Sequence, residues 1–215
     1  MHSVADAVAR ITAAAAPLPE ETVPIAEALG RVLADDVRSP ITLPHWTNSA
    51  MDGYAVRGVD AAGASATSPR TLPVVETVAA GAFPTRGIQP GEATRIMTGA
   101  PLPDGADTVI RVEDTDGGLS QVTIRADRDV GKNIRLRGED LVEGTVALPR
   151  GIPIGAAQVG ILASIGQALV RVHRRPRVAI LGSGDELVDL DGFDEVRAGR
   201  KIVSSNAYTL DALVR

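Results

Sequence analysis

The sequence predicts a mixed α and β protein with more than one domain. Apolar residues recur at helical spacing near the N-terminus and again after Pro153, but not between Pro44 and Pro153. Across that gap, short apolar runs alternate with Gly, Pro and Asp, the texture of an all-β module. From residue 175 onward the chain reads strand, loop, helix, one βα unit of an α/β domain. These observations predict a discontinuous helical linker domain (residues 1–43 plus 141–174), an inserted β module (44–140) and the start of an α/β domain (175–215).

The elements follow in order. Ser3 can cap a helix from Val4 to about Ala15, with Asp6 in its first turn, where a carboxylate favours the helix dipole. Val4, Ala7, Val8, Ile11 and Ala15 share one face, and Pro17 and Pro19 stop the helix. A short helix near Ile25–Leu29 ends at Gly30, and Arg31 to Val37 reads as a strand. The β module offers strands at Thr71–Ala79, Thr94–Met97, Asp107–Glu113, Gln121–Ala126 and Thr145–Leu148. Alternation of Thr108, Ile110 and Val112 with Val109, Arg111 and Glu113 suggests a half-buried strand, and Ala61–Pro69 a flexible loop. Pro153 to Ser164 reads as a helix burying Ala157, Ile161, Leu162 and Ile165, expected to pack with the N-terminal helix. After a strand at Leu169–His173, the continuous apolar run Val178-Ala179-Ile180-Leu181 predicts a buried parallel strand. Ser204-Ser205-Asn206 can cap a last helix from about Ala207.

Composition narrows the function. With 2% aromatic residues, base stacking along single-stranded nucleic acid is disfavoured, and a net charge of −5 disfavours general nucleic-acid binding. There is no cysteine, which excludes disulfides, thiolate catalysis and Cys-based zinc sites. His2, His45 and His173 show no HxxxH spacing. No apolar run is long enough to span a bilayer and no signal peptide is legible, so the expected compartment is the cytoplasm, without membrane attachment.

Four polar turns could hold chemistry. Asp52-Gly53, within NSAMDGYAVR, is a turn signal because Gly accepts positive φ; it would hold the Asp52 carboxylate at a bend at a sheet edge. Read alone it is a hairpin turn. The second turn is Met97-Thr98-Gly99-Ala100-Pro101, where Thr98 could equally cap a strand end. The third carries Lys132, Arg135 and Arg137, then Glu139 and Asp140; this mixture suits an anion held with a metal ion, or a solvated loop of local ion pairs. The fourth, Gly182-Ser183-Gly184-Asp185-Glu186, lacks the lysine of a Walker A loop; Asp185 and Glu186 are its candidate metal ligands.

The strings NSAMDGYAVR, RIMTGAPLPDGADTVIRVED, GKNIRLRGED, GIPIGAAQVGILASIG and PRVAILGSGDEL, in this order, resemble the molybdopterin molybdenumtransferases, called MoeA in bacteria, a family that includes the E domain of gephyrin. Two departures stand out. Gly182-Ser183 replaces the family's Ser-Thr, and Ser204-Ser205-Asn206 replaces its Asp-Ser-Asn, losing a carboxylate. Family members continue well past Arg215, so the resemblance implies an N-terminal portion, inactive alone, that stops within a three-layer, molybdopterin-binding α/β domain.

The resemblance further implies insertion of molybdate into adenylylated molybdopterin, with release of AMP and with Mg²⁺ as cofactor. It implies a homodimer whose shared cleft is lined by Asp52, Thr98, Arg135 and Asp140 of one subunit and by the fourth turn of the other. Asp52, Thr98, Asp140 and Glu186 would be catalytic, Arg135, Ser183, Gly184 and Asp185 would bind cofactor, and Asp185 and Glu186 would hold metal. A molybdopterin adenylyltransferase is an implied partner. The alternative is a non-catalytic dimeric scaffold of the gephyrin E-domain type.

Overall fold

The computed structural model describes residues 3–214, and His2 lies outside them. In chain order the elements are α1 (Val4–Ala14), β1 (Glu20–Pro24), β2 (Val37–Arg38), β3 (Asn48–Ser49), β4 (Gly53–Val56), α2 (Gly58–Ala61), β5 (Arg70–Val78), β6 (Ala93–Ile96) and β7 (Thr108–Arg111). Then come β8 (Gln121–Ile124), β9 (Ile134–Arg135), β10 (Val146–Leu148), α3 (Ala156–Ser164), β11 (Leu169–His173), β12 (Leu187–Val188), α4 (Phe193–Arg197), β13 (Ile202–Val203) and α5 (Ser205–Val214). The chain forms two compact units, Val23–Val170 and the flanks up to Thr22 and from Arg171.

The first unit is built on a five-stranded sheet ordered β7-β4-β6-β5-β8. It is antiparallel except for the β5–β6 pair. The sheet curls. Beyond β7, Thr115 bridges Ile124 of the opposite edge strand, and the Arg125 N–H donates to the Asp114 carbonyl at 2.8 Å. Tyr54, Val56, Leu72, Ile110, Val122 and Ile124 fill the concave side. Ala55, Val78, Ile96, Ala100 and Val109 form a second core on the other face. Alternate residues of β4 therefore enter different cores, and the strand is buried throughout.

This placement corrects two expectations. Asp52 does not stand at a sheet edge, because the strand it precedes pairs on both sides, with β6 and with β7. Gly53 is not there for a positive φ. A Cβ on it would lie 2.0 Å from the carbonyl oxygen of Ile110, so only glycine allows the two strands to close. The Asp107–Glu113 strand is also more buried than its alternation suggests, since Thr108, Val109 and Ile110 are all buried. It ends at Arg111, where a 3-10 turn begins.

The sheet is pinned by an ion pair on a buried carboxylate. Arg111 Nε and Nη2 donate to the two carboxylate oxygens of Asp129 at 2.8 and 2.9 Å. Asp129 is 1% exposed. Its carboxyl is held at about 2, below the usual 3.8, chiefly by the Arg111 side chain and further by the Arg111 N–H and Asn133; burial opposes the shift.

The segments flanking the sheet meet in the same unit. β2 pairs antiparallel with β10, Val32 bridges Pro153, and Leu43 and Leu141 exchange two backbone hydrogen bonds. Arg31 to Val37 is thus an irregular segment rather than one strand. Ile25–Glu27 is a single 3-10 turn, closed by Gly30 at φ 74°. α3 begins at Ala156 with Gly155 as its N-cap, because Pro153 is engaged in the bridge to Val32. Leu162 and Ile165 are buried as expected, whereas Ala157 and Ile161 are exposed. The Ala61–Pro69 loop is tied down: Ala64 is buried, and the Gly63 N–H donates to Asp129's near neighbour Asp127 at 3.0 Å.

In the second unit, α1 starts as expected. The Ser3 hydroxyl accepts from the Asp6 N–H at 3.1 Å, and the Asp6 carboxylate accepts from the Ser3 N–H at 3.2 Å, a reciprocal capping box. β1 pairs with β11. Residues 178–181 are not a buried strand: Val178 and Leu181 are 54% and 92% exposed. A parallel strand is held by hydrogen-bonded neighbours, and among the described residues no strand lies beside this run. The parallel pair is instead β12 with β13, leading into α5. Among the described residues no helix is long and apolar enough to cross a membrane.

Two outcomes test this account. Gly53→Ala forces a methyl group into the Ile110 carbonyl, and should destabilise the protein by about 3 kcal/mol or more, read by denaturant unfolding. Because the folded pKa of Asp129 is depressed, its contribution of about 2 kcal/mol is present above about pH 4 and is lost as pH falls through about 2. Asp129→Asn should lose that stability at neutral pH and show a flatter stability profile between those two pH values.

Candidate functional site

Residues 48–50 are the meeting point of three of the four polar turns. The Gly99 N–H donates to the Ser49 carbonyl at 2.8 Å, and the Ser49 N–H donates to the Ala100 carbonyl at 3.0 Å. On the other side β3 pairs with β9, Asn48 opposite Arg135, and the Ala50 N–H donates to the Asn133 carbonyl at 2.9 Å. Asn133 adopts φ 64°, a left-handed conformation that asparagine tolerates, and its side-chain amide donates to the Val109 carbonyl at 2.9 Å. Asn48 and Ser49 are buried, so the hub of the three turns is fixed from inside.

Beyond this hub the chain turns through Asp52 into β4. The Ser49 hydroxyl makes the turn, donating to the Met51 carbonyl at 2.5 Å and accepting from the Met51 N–H at 3.2 Å. One carboxylate oxygen of Asp52 accepts from both the N–H and the hydroxyl of Thr98, each at 2.7 Å. The Thr98 N–H, then its hydroxyl, hold the Asp52 carboxyl below its usual range. Asp52 is exposed, and its second oxygen stays available to a ligand. The site therefore presents a fixed, ionised acceptor. Thr98 does not cap a strand end here; it orients Asp52.

The third turn divides its cations. Lys132 reaches back to the Arg128 carbonyl at 2.9 Å. Arg135 donates from one terminal nitrogen to both oxygens of Asp140, at 3.2 and 3.1 Å. Both partners of that pair are about half exposed, 48% and 54%, so the pair contributes little to stability and a ligand oxyanion can compete for Arg135. Glu139 accepts from the Leu136 N–H at 2.8 Å and closes the turn. Arg111 and Asp129, which the sequence reading did not single out, set the base of this region; no local motif marks a pair separated by a whole loop.

The fourth turn belongs to the other unit. Ser183 lines a cleft of about 330 Å³ with Gly182, Leu187, Ser204, Ser205 and Asn206, the last three at the start of α5. The Glu186 carboxylate is folded over Gly184, where a Cβ would lie 2.5 Å from its oxygen. The Ile202 N–H donates to the Glu186 carbonyl at 2.9 Å, and Lys201 Nζ donates to the Asp185 carbonyl. Both carboxylates are exposed. Among the described residues no three His, Cys, Asp or Glu side chains are grouped to hold a metal ion. Asp189, which the sequence reading passed over, accepts from the Tyr208 hydroxyl and from the Leu190 N–H at 2.7 Å, and these bonds lower its pKa.

A family model described as the MoeA N-terminal region (domain I and II) matches residues 2–166. The chain belongs to the MoeA family. Molybdopterin molybdenumtransferase 2 of Mycobacterium tuberculosis (strain ATCC 25618 / H37Rv) is 44% identical over 194 residues, covering 90% of this chain and 47% of that protein. Molybdopterin molybdenumtransferase of Nostoc sp. is 45% identical over 195 residues, covering 91% of this chain and 44% of that protein. The crystal structure of the molybdopterin biosynthesis moeA protein from Pyrococcus horikoshii OT3 superposes with a TM-score of 0.76 at 33% identity, over 91% of this chain and 52% of that one. The mixed α and β fold is thus a MoeA fold. The chain spans about half the length of the relatives it matches.

Thr98→Ala separates the two halves of the Asp52 clamp, since it keeps the backbone donor and removes the hydroxyl. In this MoeA-family chain the Asp52 titration, followed by carboxyl-carbon NMR, should move up toward the ordinary carboxylate range without reaching it. An unchanged titration would remove the Thr98 hydroxyl from the clamp.

Proposed function

We propose that this chain is part of a molybdopterin molybdenumtransferase, which inserts molybdate into adenylylated molybdopterin and releases AMP. The observation that carries the reading is identity of 44–45% to molybdopterin molybdenumtransferases across nine-tenths of the chain. The geometry supports it. Insertion couples cleavage of a phosphoric anhydride to metal transfer, and such chemistry needs fixed charges around phosphate and oxyanion groups. Asp52, oriented by Thr98, supplies a fixed acceptor, and Arg135, held loosely by Asp140, supplies a cation that an oxyanion can capture.

Ser183 contributes from the cleft ahead of α5, and Gly184, Asp185 and Glu186 follow it in the exposed turn. Mg²⁺ keeps several waters and takes one or two protein carboxylates together with substrate phosphates, so two exposed carboxylates without a third fit that ion. Asp185 and Glu186 would hold it, and when bound it would neutralise phosphate charge.

The reading extends to architecture and assembly. The side-by-side passage of residues 37–43 and 141–148 supports residues 44–140 as a module inserted into a linker domain formed by 1–43 and 141–174. Residues 175–215 then begin the three-layer, molybdopterin-binding α/β domain. The protein works in the cytoplasm as a homodimer, the two sets of groups coming from different subunits, and a molybdopterin adenylyltransferase supplies its substrate.

The test uses the full-length protein. Glu186→Ala should reduce molybdenum insertion on the order of 100-fold or more, while stability shifts by only about 0.5 kcal/mol, as for other exposed side chains. Asp52→Ala should reduce insertion on the same scale. A heterodimer of the two variants should regain part of the activity, because one of its two clefts is intact. A demonstrated heterodimer that stays inactive overturns the shared cleft, and a fully active single variant removes that residue from the site.

A further inference from the structure

We propose that Arg137, Trp46 and Phe83 form a binding site for a phosphorylated planar heterocycle, beside the Asp52–Thr98 clamp. The assignment of this ligand class deepens the function proposed above and rests on that reading for its place in the reaction.

The aromatic half is unusual for this chain. It has one Trp, two Tyr and two Phe, too few for chance neighbours to be common. Tyr54 is spent in the sheet core. Trp46 and Phe83 nevertheless meet edge to face, ring centres 4.9 Å apart and planes at 67°. Phe83 is 60% exposed, so core formation does not account for the pair. The indole N–H donates to the Gly99 carbonyl at 3.3 Å, which fixes the edge of the ring against the residue that follows Thr98. His45 adds a third ring, its centre 5.8 Å from that of Trp46. A half-buried indole held at its edge, beside an exposed phenyl ring, is a platform on which a heterocycle can stack.

The cationic half is anchored to the two residues that flank Trp46. The Arg137 N–H donates to the Thr47 hydroxyl at 3.2 Å, and Arg137 Nε donates to the His45 carbonyl at 3.1 Å. These bonds hold the guanidinium by its inner nitrogen. Arg111, Arg128 and Arg135 each give one terminal nitrogen to a carboxylate, Asp129, Asp114 and Asp140 respectively. Among the described residues, no carboxylate takes a terminal nitrogen of Arg137. A guanidinium already oriented, with its outer donors open, binds an oxyanion with less loss of side-chain freedom than a mobile one. Residues 45–47 thus supply both the anchor of the cation and the stacking surface.

Both a nucleoside monophosphate and a phosphorylated pterin present this chemistry, and the test separates them. Trp46 is the only tryptophan of the 215 residues, so its fluorescence reports on this surface alone. Titration of this chain with AMP and, separately, with 6-(phosphooxymethyl)pterin should give saturable quenching by at least one of them, and the tighter one names the source. Arg137→Gln should weaken that ligand about tenfold or more, the scale of a charge-assisted hydrogen bond, and leave adenosine or the unphosphorylated pterin almost unaffected. Phe83→Leu should weaken both the phosphorylated and the unphosphorylated form. Unchanged circular dichroism and unfolding midpoints guard against misfolding. No saturable quenching by either compound, or equal affinity for wild type and Arg137→Gln, overturns the site. Molybdenum insertion by the full-length protein is read separately: Arg137-dependent binding without any insertion overturns the proposed function and leaves this site standing, whereas insertion without such binding does the reverse.

Discussion

The constraint on which the sheet depends is the approach of β4 to β7 at Gly53, where the Ile110 carbonyl occupies the space of a side chain. Closure at this point lets β4 pair on both sides and sends Tyr54 and Val56 into one core and Ala55 into the other. It also fixes where the preceding residue goes. Asp52 leaves the sheet at the end of a strand that cannot shift, and its carbonyl accepts from the Val112 N–H at 3.0 Å. A carboxylate launched from a central strand is positioned more rigidly than one on an edge hairpin, which suits a group that must meet a ligand without reorganising.

Charge is used in two ways on this frame. Arg111 and Asp129 form a two-pronged pair against a buried carboxylate, where removing Arg111 leaves a desolvated charge. Arg135 and Asp140 meet at the surface through a single terminal nitrogen, where water and ligands compete. The first pair holds structure and the second is exchangeable. The Asp52–Thr98 contact lies between these cases: it is exposed, but a backbone donor that cannot move away fixes it.

The fourth turn shows how far local pattern carries. The GSGDE string, its cleft with Ser204 to Asn206, and the helix that follows are all present. The apolar run before it is not a strand, because strand formation is a property of a pair and residues 178–181 have no neighbour to bond. The α4 helix and the β12–β13 pair went unread because each is only a few residues long, below the length at which periodicity is informative.

Sequence alone determined what neighbours along the chain decide. The capped start of α1, the positions of β5 to β8, the four polar turns and the family strings rest on turn chemistry and short-range period. Asp52, Thr98, Arg135 and Asp140 were legible as candidates for the same reason. Tertiary structure decided how they are joined: three turns hydrogen-bonded to residues 48–50, Thr98 holding Asp52, and Arg137 held with its outer nitrogens open. It also decided why Gly53 is glycine. Those facts depend on which backbone passes beside which after 40 or more intervening residues have folded, and no local spacing encodes that.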